Sequence, residues 1–186
     1  MYEDAGVMIE IVKFDDVPTY SLEEFEYAFT LARTLGARAI SCEYSADEAK
    51  RIAPFAEKAR MLVGFHGHAE VSPALYGQLF TYGKYIGANV DIGHFVAGQN
   101  ISPVPLIKQH HDRITHLHIK DRKLHEGPNM PFGQGDTPIK EVLQLVRDNK
   151  WNIQATIEFE YPVPAGSDVM TELAKTLQYC REALQA

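Results

Sequence analysis

Apolar and polar positions along this chain switch repeatedly between two periods. Short β-rich runs occur at Val7–Val12, Ala37–Glu43, Met61–His66, Ala88–Ile92, Ile114–Ile119 and Ile153–Phe159. Between them, apolar residues recur every three to four positions, the spacing of amphipathic helices. Ser21-Leu-Glu-Glu24 has the form of a capping box, and Leu22, Phe25, Phe29 and Ala32 follow at helical spacing, with Gly36 as the stop. Ser45-Ala-Asp-Glu48 is a second box, opening a helix expected to reach Arg60, with Pro54 predicting a kink or late start. Val71–Gly87 carries a weak helical pattern, and Val104–His110 a short helix entered through Pro103 and Pro105. Arg122–Thr137 is a long Gly/Pro-rich loop; Pro138 then reads as the first helical residue before the apolar stripe Ile139, Val142, Leu143 and Val146. A last helix is expected from about Asp168 to Ala183, with Val169, Leu173, Leu177, Cys180 and Leu184 on one side.

Strands and helices thus alternate in six units, which predicts an α/β fold with a parallel sheet and helices outside. No internal linker interrupts them, so residues 1–186 are expected to form a single domain. A closed (β/α)₈ barrel usually has eight units and about 250 residues. Six units imply an open sheet, two absent units, or a partner chain in their place. Exposed strand edges invite association, so a homo-oligomer is expected.

Charge narrows the function. The 186 residues hold 18 Lys+Arg against 25 Asp+Glu, a net charge of -7. Phosphate-backbone binding needs clustered cations, so nucleic acid is not an expected partner. No apolar run approaches membrane-spanning length, and Met1-Tyr-Glu-Asp4 lacks the basic and apolar regions of a signal peptide. The expectation is no membrane association and a cytoplasmic location. Cys42 and Cys180 lie far apart, read as reduced, and have no neighbour at metal-ligand spacing.

The candidate chemistry sits at strand ends. In Ile114-Thr-His-Leu-His-Ile-Lys-Asp121, alternation places His116, His118 and Lys120 on one face. An imidazole-rich face on a buried strand is costly without polar partners. Val90-Asp91-Ile-Gly-His94 and Ala155-Thr-Ile-Glu158-Phe-Glu160 end in similar fashion. In parallel sheets, functional groups gather at the strands' carboxyl ends. Asp91, His118 and Glu158 therefore form a candidate O/N/O shell for Mn, Co, Zn or Mg. Each alone is as well explained by a turn, a hydrogen-bonded core histidine or a solvated acid; the joint pattern carries the reading. His66 and His68 end another strand on one face: His66 is a candidate fourth ligand and His68 a substrate contact, with Glu70 a further possible ligand. His94 is a candidate to orient a substrate hydroxyl or move a proton. Lys120 could stabilise an enediolate oxygen, the alternative being a surface pair with Asp121. Glu160 brings a second carboxylate beside Glu158. Phe132-Gly-Gln-Gly-Asp136 lacks the marks of a phosphate loop and reads as a flexible lid or site loop.

These motifs in succession (Asn-Val-Asp91-Ile-Gly-His94, His116-Leu-His118-Ile-Lys-Asp121, Gly133-Gln-Gly135-Asp and Thr-Ile-Glu158-Phe-Glu160) resemble the xylose isomerase-like TIM-barrel superfamily, and within it the sugar phosphate isomerase/epimerase branch. The resemblance covers nearly the whole chain, from the third barrel strand to the eighth. It implies a (β/α) barrel lacking its first two units. It further implies one divalent metal held by Glu, Asp, His and Glu. Asp91, His118 and Glu158 match the last three ligands; His66 stands where the first Glu is usual. The implied activity is isomerisation or epimerisation of a sugar or sugar phosphate, by proton abstraction next to a carbonyl through an enediolate. In that scheme Glu158, Glu160 and Lys120 are catalytic, and His68, His94 and Arg122 bind substrate. A keto-sugar or cyclitol dehydratase or lyase is an alternative on the same scaffold, as is an inactive barrel kept as a binding or assembly subunit. Phosphodiester cleavage, known among endonuclease IV relatives, fits the acidic balance poorly.

Overall fold

Serine side chains set the first two helices. In the computed structural model, which describes residues 2–186, Ser21 Oγ accepts from Glu24 N–H and Glu24 accepts from Ser21 N–H, so the predicted capping box is formed and opens α1 (Leu22–Thr34). The second box is one-sided. Ser45 Oγ accepts from Glu48 N–H and opens α2 (Ala46–Ala59), but the Glu48 carboxylate turns to Arg51, 2.7 Å away. Pro54 does not break α2. It sits on the exposed face, where the carbonyl it leaves unbonded can meet water. The helix ends instead at Arg60, in the left-handed region at φ 51.

The chain divides into two compact units. The first takes the residues up to His66 with Pro73–Asn89 and Arg113–Thr115. It holds β1 (Ile11–Lys13), β2 (Ala39–Glu43), all but the last residue of β3 (Leu62–Gly67), and α3 (Pro73–Phe80), with the start of β4 (Ile86–Asp91). β1 pairs parallel with β2, and β2 with β3, placing Glu43 opposite His66. Their core is Ile40, Cys42, Val63 and Phe65 from the strands under Phe25, Phe29, Ala49 and Ile52 from α1 and α2. The first strand is shorter than the Val7–Val12 expected: Val7 and Met8 are exposed, so their apolar character packs against nothing that would define strand. The weak helical pattern of Val71–Gly87 condenses into the eight residues of α3, followed by turns around Thr81 and Gly83 and the strand residue Ile86.

The second unit takes Gly67–Ser72, Val90–Asp112 and His116–Ala186. It holds α4 (Ile92–Gln99), α5 (Val104–His110), most of β5 (Ile114–Ile119), α6 (Ile139–Asn149), β6 (Gln154–Ile157) and α7 (Val169–Gln185). β5 and β6 pair in parallel, with His118 opposite Thr156. α4 is the helix the hydrophobic pattern missed. Two glycines dilute its periodicity, and its start is set by Asp91, whose Oδ1 accepts from His94 N–H at 2.7 Å. Pro138 is the residue before α6 rather than its first residue. Asp168 caps α7 by accepting from Thr171 N–H. Strands follow one another in chain order across the sheet, β1 to β6, each followed by a helix, as the alternation predicted. Cys42 and Cys180 are buried thiols, and burial pushes Cys180 up to about 11. Among the described residues no helix is long and apolar enough to cross a membrane.

Candidate active site

The second unit brings β4, β5 and the end of β6 to one cluster. Asp91, the last residue of β4, is fully buried. Capping α4 with Oδ1 aims Oδ2 away from the helix, to within 3.1 Å of Lys120 Nζ. The α4 turn can come this close to β5 because residue 93 is glycine: a Cβ there would lie 2.7 Å from the Lys120 carbonyl oxygen and 2.9 Å from its Cβ. The Asp-Ile-Gly-His run is thereby accounted for residue by residue: a cap, a buried apolar residue, a close approach, and an imidazole in the first helical turn.

His118 Nδ1 lies 2.8 Å from Glu158 Oε2 and 4.0 Å from Asp91 Oδ2. Asp91, His118 and Glu158 each offer a ligand atom, all within 4.8 Å of one another. One nitrogen and two carboxylates at that spacing, on buried or half-buried side chains, fit a divalent cation of the Mn/Co/Zn/Mg group. His116 is buried one layer deeper and packs edge-on against His118, its ring centroid 5.3 Å away.

Lys120 departs furthest from a plain reading of the sequence. It makes no surface pair with Asp121. Its side chain is 2% exposed, and its ammonium lies 2.7 Å from Glu160 Oε2, 3.1 Å from Glu158 Oε2 and 3.1 Å from Asp91 Oδ2. Burial works against its charge, but Asp91, Glu160 and Glu158 outweigh it and raise the pKa. The effect is mutual for Glu160, whose carboxyl the Lys120 hydrogen bond holds below its ordinary value. Burial pushes Glu158 upward, the His118 hydrogen bond more than offsets it against the opposing nearness of Asp91, and the net direction is down. Three carboxylates around one ammonium leave an excess of negative charge.

His94 Nδ1 lies 2.7 Å from Arg122 Nη1, and Nε2 lies 2.9 Å from Lys120 Nζ. Burial lowers the His94 pKa; Asp91 opposes this, and Lys120, His68 and Arg122 reinforce it. His68 is exposed, with its ring 4.9 Å from that of His94. Sequence reasoning overlooked Asp121. Its buried carboxylate accepts from the N–H groups of Gly133 (2.8 Å), Gly135 (2.9 Å) and Thr137 (3.2 Å), so the Gly-Gln-Gly segment expected as a flexible lid is tied to the end of β5. An Asp immediately after a strand, with two closely spaced glycines downstream, was the available signal.

In the first unit the strand ends carry Lys13, Glu43 and His66. His66 is buried with Nδ1 3.4 Å from Glu43 Oε1, and Lys13 Nζ lies 2.7 Å from the same oxygen. The His66 hydrogen bond holds the Glu43 carboxyl down at about 2, with burial opposing and Lys13 assisting. Glu70 is exposed.

A family described as "Xylose isomerase-like TIM barrel" matches residues 15–183. No curated protein matches. Among solved structures, a xylose isomerase domain protein from Planctomyces limnophilus aligns with TM-score 0.75 at 16% identity, over 97% of this chain and 78% of that one. An L-ribulose 3-epimerase aligns with TM-score 0.72 at 12% identity, over 98% and 77%. The IOLI protein, solved with a zinc atom bound, aligns with TM-score 0.70 at 15% identity, over 95% and 77%. At these identities the shared property is the fold.

Proposed function

The chain belongs to the xylose isomerase-like TIM barrel family, and from that premise we propose that it is a divalent-metal-dependent isomerase or epimerase of a sugar or sugar phosphate. The observation that carries the reading is the cluster of buried Asp91 with half-buried His118 and Glu158, its two carboxylates each 3.1 Å from the Lys120 ammonium. The epimerase and zinc-bound IOLI neighbours favour the same class of chemistry. Asp91, His118 and Glu158 would hold the cation. A bound cation supplies Lewis acidity that polarises a substrate carbonyl.

The chain's own groups divide the remaining work. Glu160 is the more exposed carboxylate, 44% against 26% for Glu158, and Lys120 keeps it ionised. Glu160, or Glu158 beside it, takes the proton from the carbon next to the carbonyl and returns it to the neighbouring carbon in an isomerisation; in an epimerisation a second group, the other carboxylate of the pair, gives its proton to the opposite face. Lys120 stays an ammonium and offsets the negative charge that develops on the enediolate oxygen. His94 and His68 meet substrate oxygens. Arg122, with Nη1 2.7 Å from His94 Nδ1, is the third candidate substrate contact.

Elemental analysis of protein loaded with Mn²⁺ and desalted tests the metal, with about one equivalent expected in the wild type and little in Asp91→Ala. No bound metal in the wild type would sink the reading. Product analysis on a panel of ketoses and keto-acids tests the reaction. Epimeric or isomeric sugars are expected, whereas an eliminated product would move the protein to the dehydratase or lyase class.

A further inference from the structure

Three aspartates stand at the turns that lead from β4, β5 and β6 into α4, α6 and α7. Asp91 caps α4, its Oδ1 accepting from His94 N–H at 2.7 Å. Asp168 caps α7, accepting from Thr171 N–H at 3.0 Å. Between them, after β5, Asp121 gathers three N–H groups. Gly133 at 2.8 Å and Gly135 at 2.9 Å donate to Oδ2, and Thr137, just ahead of α6, donates to Oδ1 at 3.2 Å. Helix starts and glycine-rich turns with converging N–H groups are where proteins hold phosphate. Here an acid of the chain itself occupies each.

The turn after β5 is shaped around its carboxylate. Asp121 is 2% exposed. Gly133 is left-handed at φ 87, and a Cβ on residue 135 would run into Asp121 Oδ1. Two further bonds tie the turn to the strand end: Arg122 N–H to Thr137 Oγ1 at 3.0 Å, and Asp136 N–H to the Arg122 carbonyl at 2.8 Å. A phosphate could take the three N–H groups only by displacing a buried carboxylate.

Charge points the same way. Segments 120–138 and 158–168, which follow β5 and β6, carry the cations Lys120, Arg122 and Lys123 against six acids: Asp121, Glu126, Asp136, Glu158, Glu160 and Asp168. A bound divalent cation would still leave the acids in excess. All three cations are engaged. Lys120 has Glu160, Glu158 and Asp91. Lys123 Nζ is 3.1 Å from Asp136 Oδ1. Arg122 spends Nε and Nη2 on the Gly127 carbonyl, at 3.1 and 2.7 Å, so the paired N–H edge that grips two phosphate oxygens is taken. Lys175, in the second turn of α7, is 2.6 Å from Glu172 Oε1. A phosphate meets repulsion in this surplus of acid, and a sugar hydroxyl does not.

We infer that Asp121 is a specificity-determining residue: its carboxylate fills from within the N–H cradle that a substrate phosphate would use, and the sugar that this protein takes is unphosphorylated. The choice between sugar and sugar phosphate rests on the function proposed above; the filled cradle does not.

Two measurements on the full chain keep these apart. In EDTA, ³¹P line broadening of inorganic phosphate reads the cradle without a substrate. No saturable binding is expected in the wild type. Asp121→Ala removes the internal anion, so it should melt at a lower temperature and bind inorganic phosphate saturably. Phosphate, but not chloride of equal ionic strength, should restore part of the lost melting temperature, which a merely structural loss would not allow. Saturable phosphate binding by the wild type overturns the inference, as does a folded Asp121→Ala that phosphate neither binds nor stabilises. The second measurement compares D-fructose with D-fructose 6-phosphate, and D-ribulose with D-ribulose 5-phosphate, as substrates of the Mn²⁺-loaded wild type. For any pair that is converted, kcat/KM should be at least about tenfold higher without the phosphate. A preference for the phosphorylated sugar overturns the inference. Should Asp121→Ala fail to fold, the wild-type phosphate titration and the sugar pairs decide. Conversion of none of the four sugars would count against the proposed function and leave the cradle to be decided by the phosphate titrations.

Discussion

Two strand-end clusters in this protein use the same residue types and differ in burial. In the first unit, Lys13 and Glu43 pair at 2.7 Å beside His66, with the two charged side chains 42% and 41% exposed. In the second unit, Lys120 is 2% exposed and Asp91 fully buried, with Glu158 and Glu160 beside them. Water and salt screen the first pair, and pairs of that kind contribute about 0–1 kcal/mol. The second cluster has exchanged hydration for its own members, so removing one leaves charge without compensation. The comparison separates a strand end that tolerates charge from one that depends on it, and a cation-binding site has the second character.

Lys120→Met is expected to have the largest effect. It leaves Asp91, Glu158 and Glu160 without their ammonium. Breaking a buried ion group in this way costs about 3–5 kcal/mol, to be read as a lower urea midpoint in EDTA. A divalent cation should restore part of the loss, because it supplies the missing positive charge to the same carboxylates. A Lys120→Met midpoint within error of the wild type would erase the distinction between the clusters.

Asp91→Asn comes next and separates two roles of one side chain. Asn caps helices about as well as Asp, so α4 should persist, whereas Asp91→Ala should also lose about 1 kcal/mol of capping. Metal affinity should fall in both by more than the roughly 10–100-fold typical of residues that only support a ligand. Calorimetric titration with Zn²⁺ measures it. Retained affinity in Asp91→Asn would move the cation away from β4.

The order of elements was legible because it follows from local physics. Ser21 with Glu24, and Asp168 with Thr171, cap helices through contacts three residues apart, and the alternation in Ile114–Ile119 reports the two faces of one strand. Strand-end acids at 91 and 158 and the histidine at 118 were legible for the same reason. The relation of Lys120 to its carboxylates was not. It is set by how closely α4 can approach β5, which turns on the missing Cβ of Gly93, and Lys next to Asp121 reads equally well as a surface pair. Nor were the bonds of Arg122 to the Gly127 carbonyl, which depend on the turn at 123–127. α4 escaped detection because its residues 92–99 are buried on most sides and include two glycines, which blurs the helical period.

Acid should reach the two clusters from the same direction. Glu43 is held at about 2, and Glu158 and Glu160 lie below their ordinary values. A depressed carboxyl contributes stability that is present above its unfolded pKa, about 4.3 for Glu, and lost as pH falls through the folded one. For Glu43 that window runs from there down to about 2. Urea midpoints measured across it should fall with pH in the wild type, and the fall should be shallower in Glu43→Gln. Because Glu43 is 41% exposed, solvent screening keeps this difference small. A steeper loss in Glu43→Gln than in the wild type would reverse the sign and reject the hydrogen bond with His66 as the cause.

Lys13→Met is expected to have the smallest effect and is the matched control for Lys120→Met. The two substitutions are chemically identical: each removes an ammonium next to a glutamate at a strand end. Lys13 sits on an edge strand with its charge in water, also within 3.0 Å of Asp15. Removing it leaves Glu43 hydrated and still bonded to His66, so the cost should stay within about 1 kcal/mol and shrink further in salt. Divalent cations should not change the Lys13→Met midpoint more than they change the wild type's. If the two lysine variants lost equal stability, exposure would not be what distinguishes the clusters, and the case for cation binding at Asp91, His118 and Glu158 would have to rest on their spacing alone.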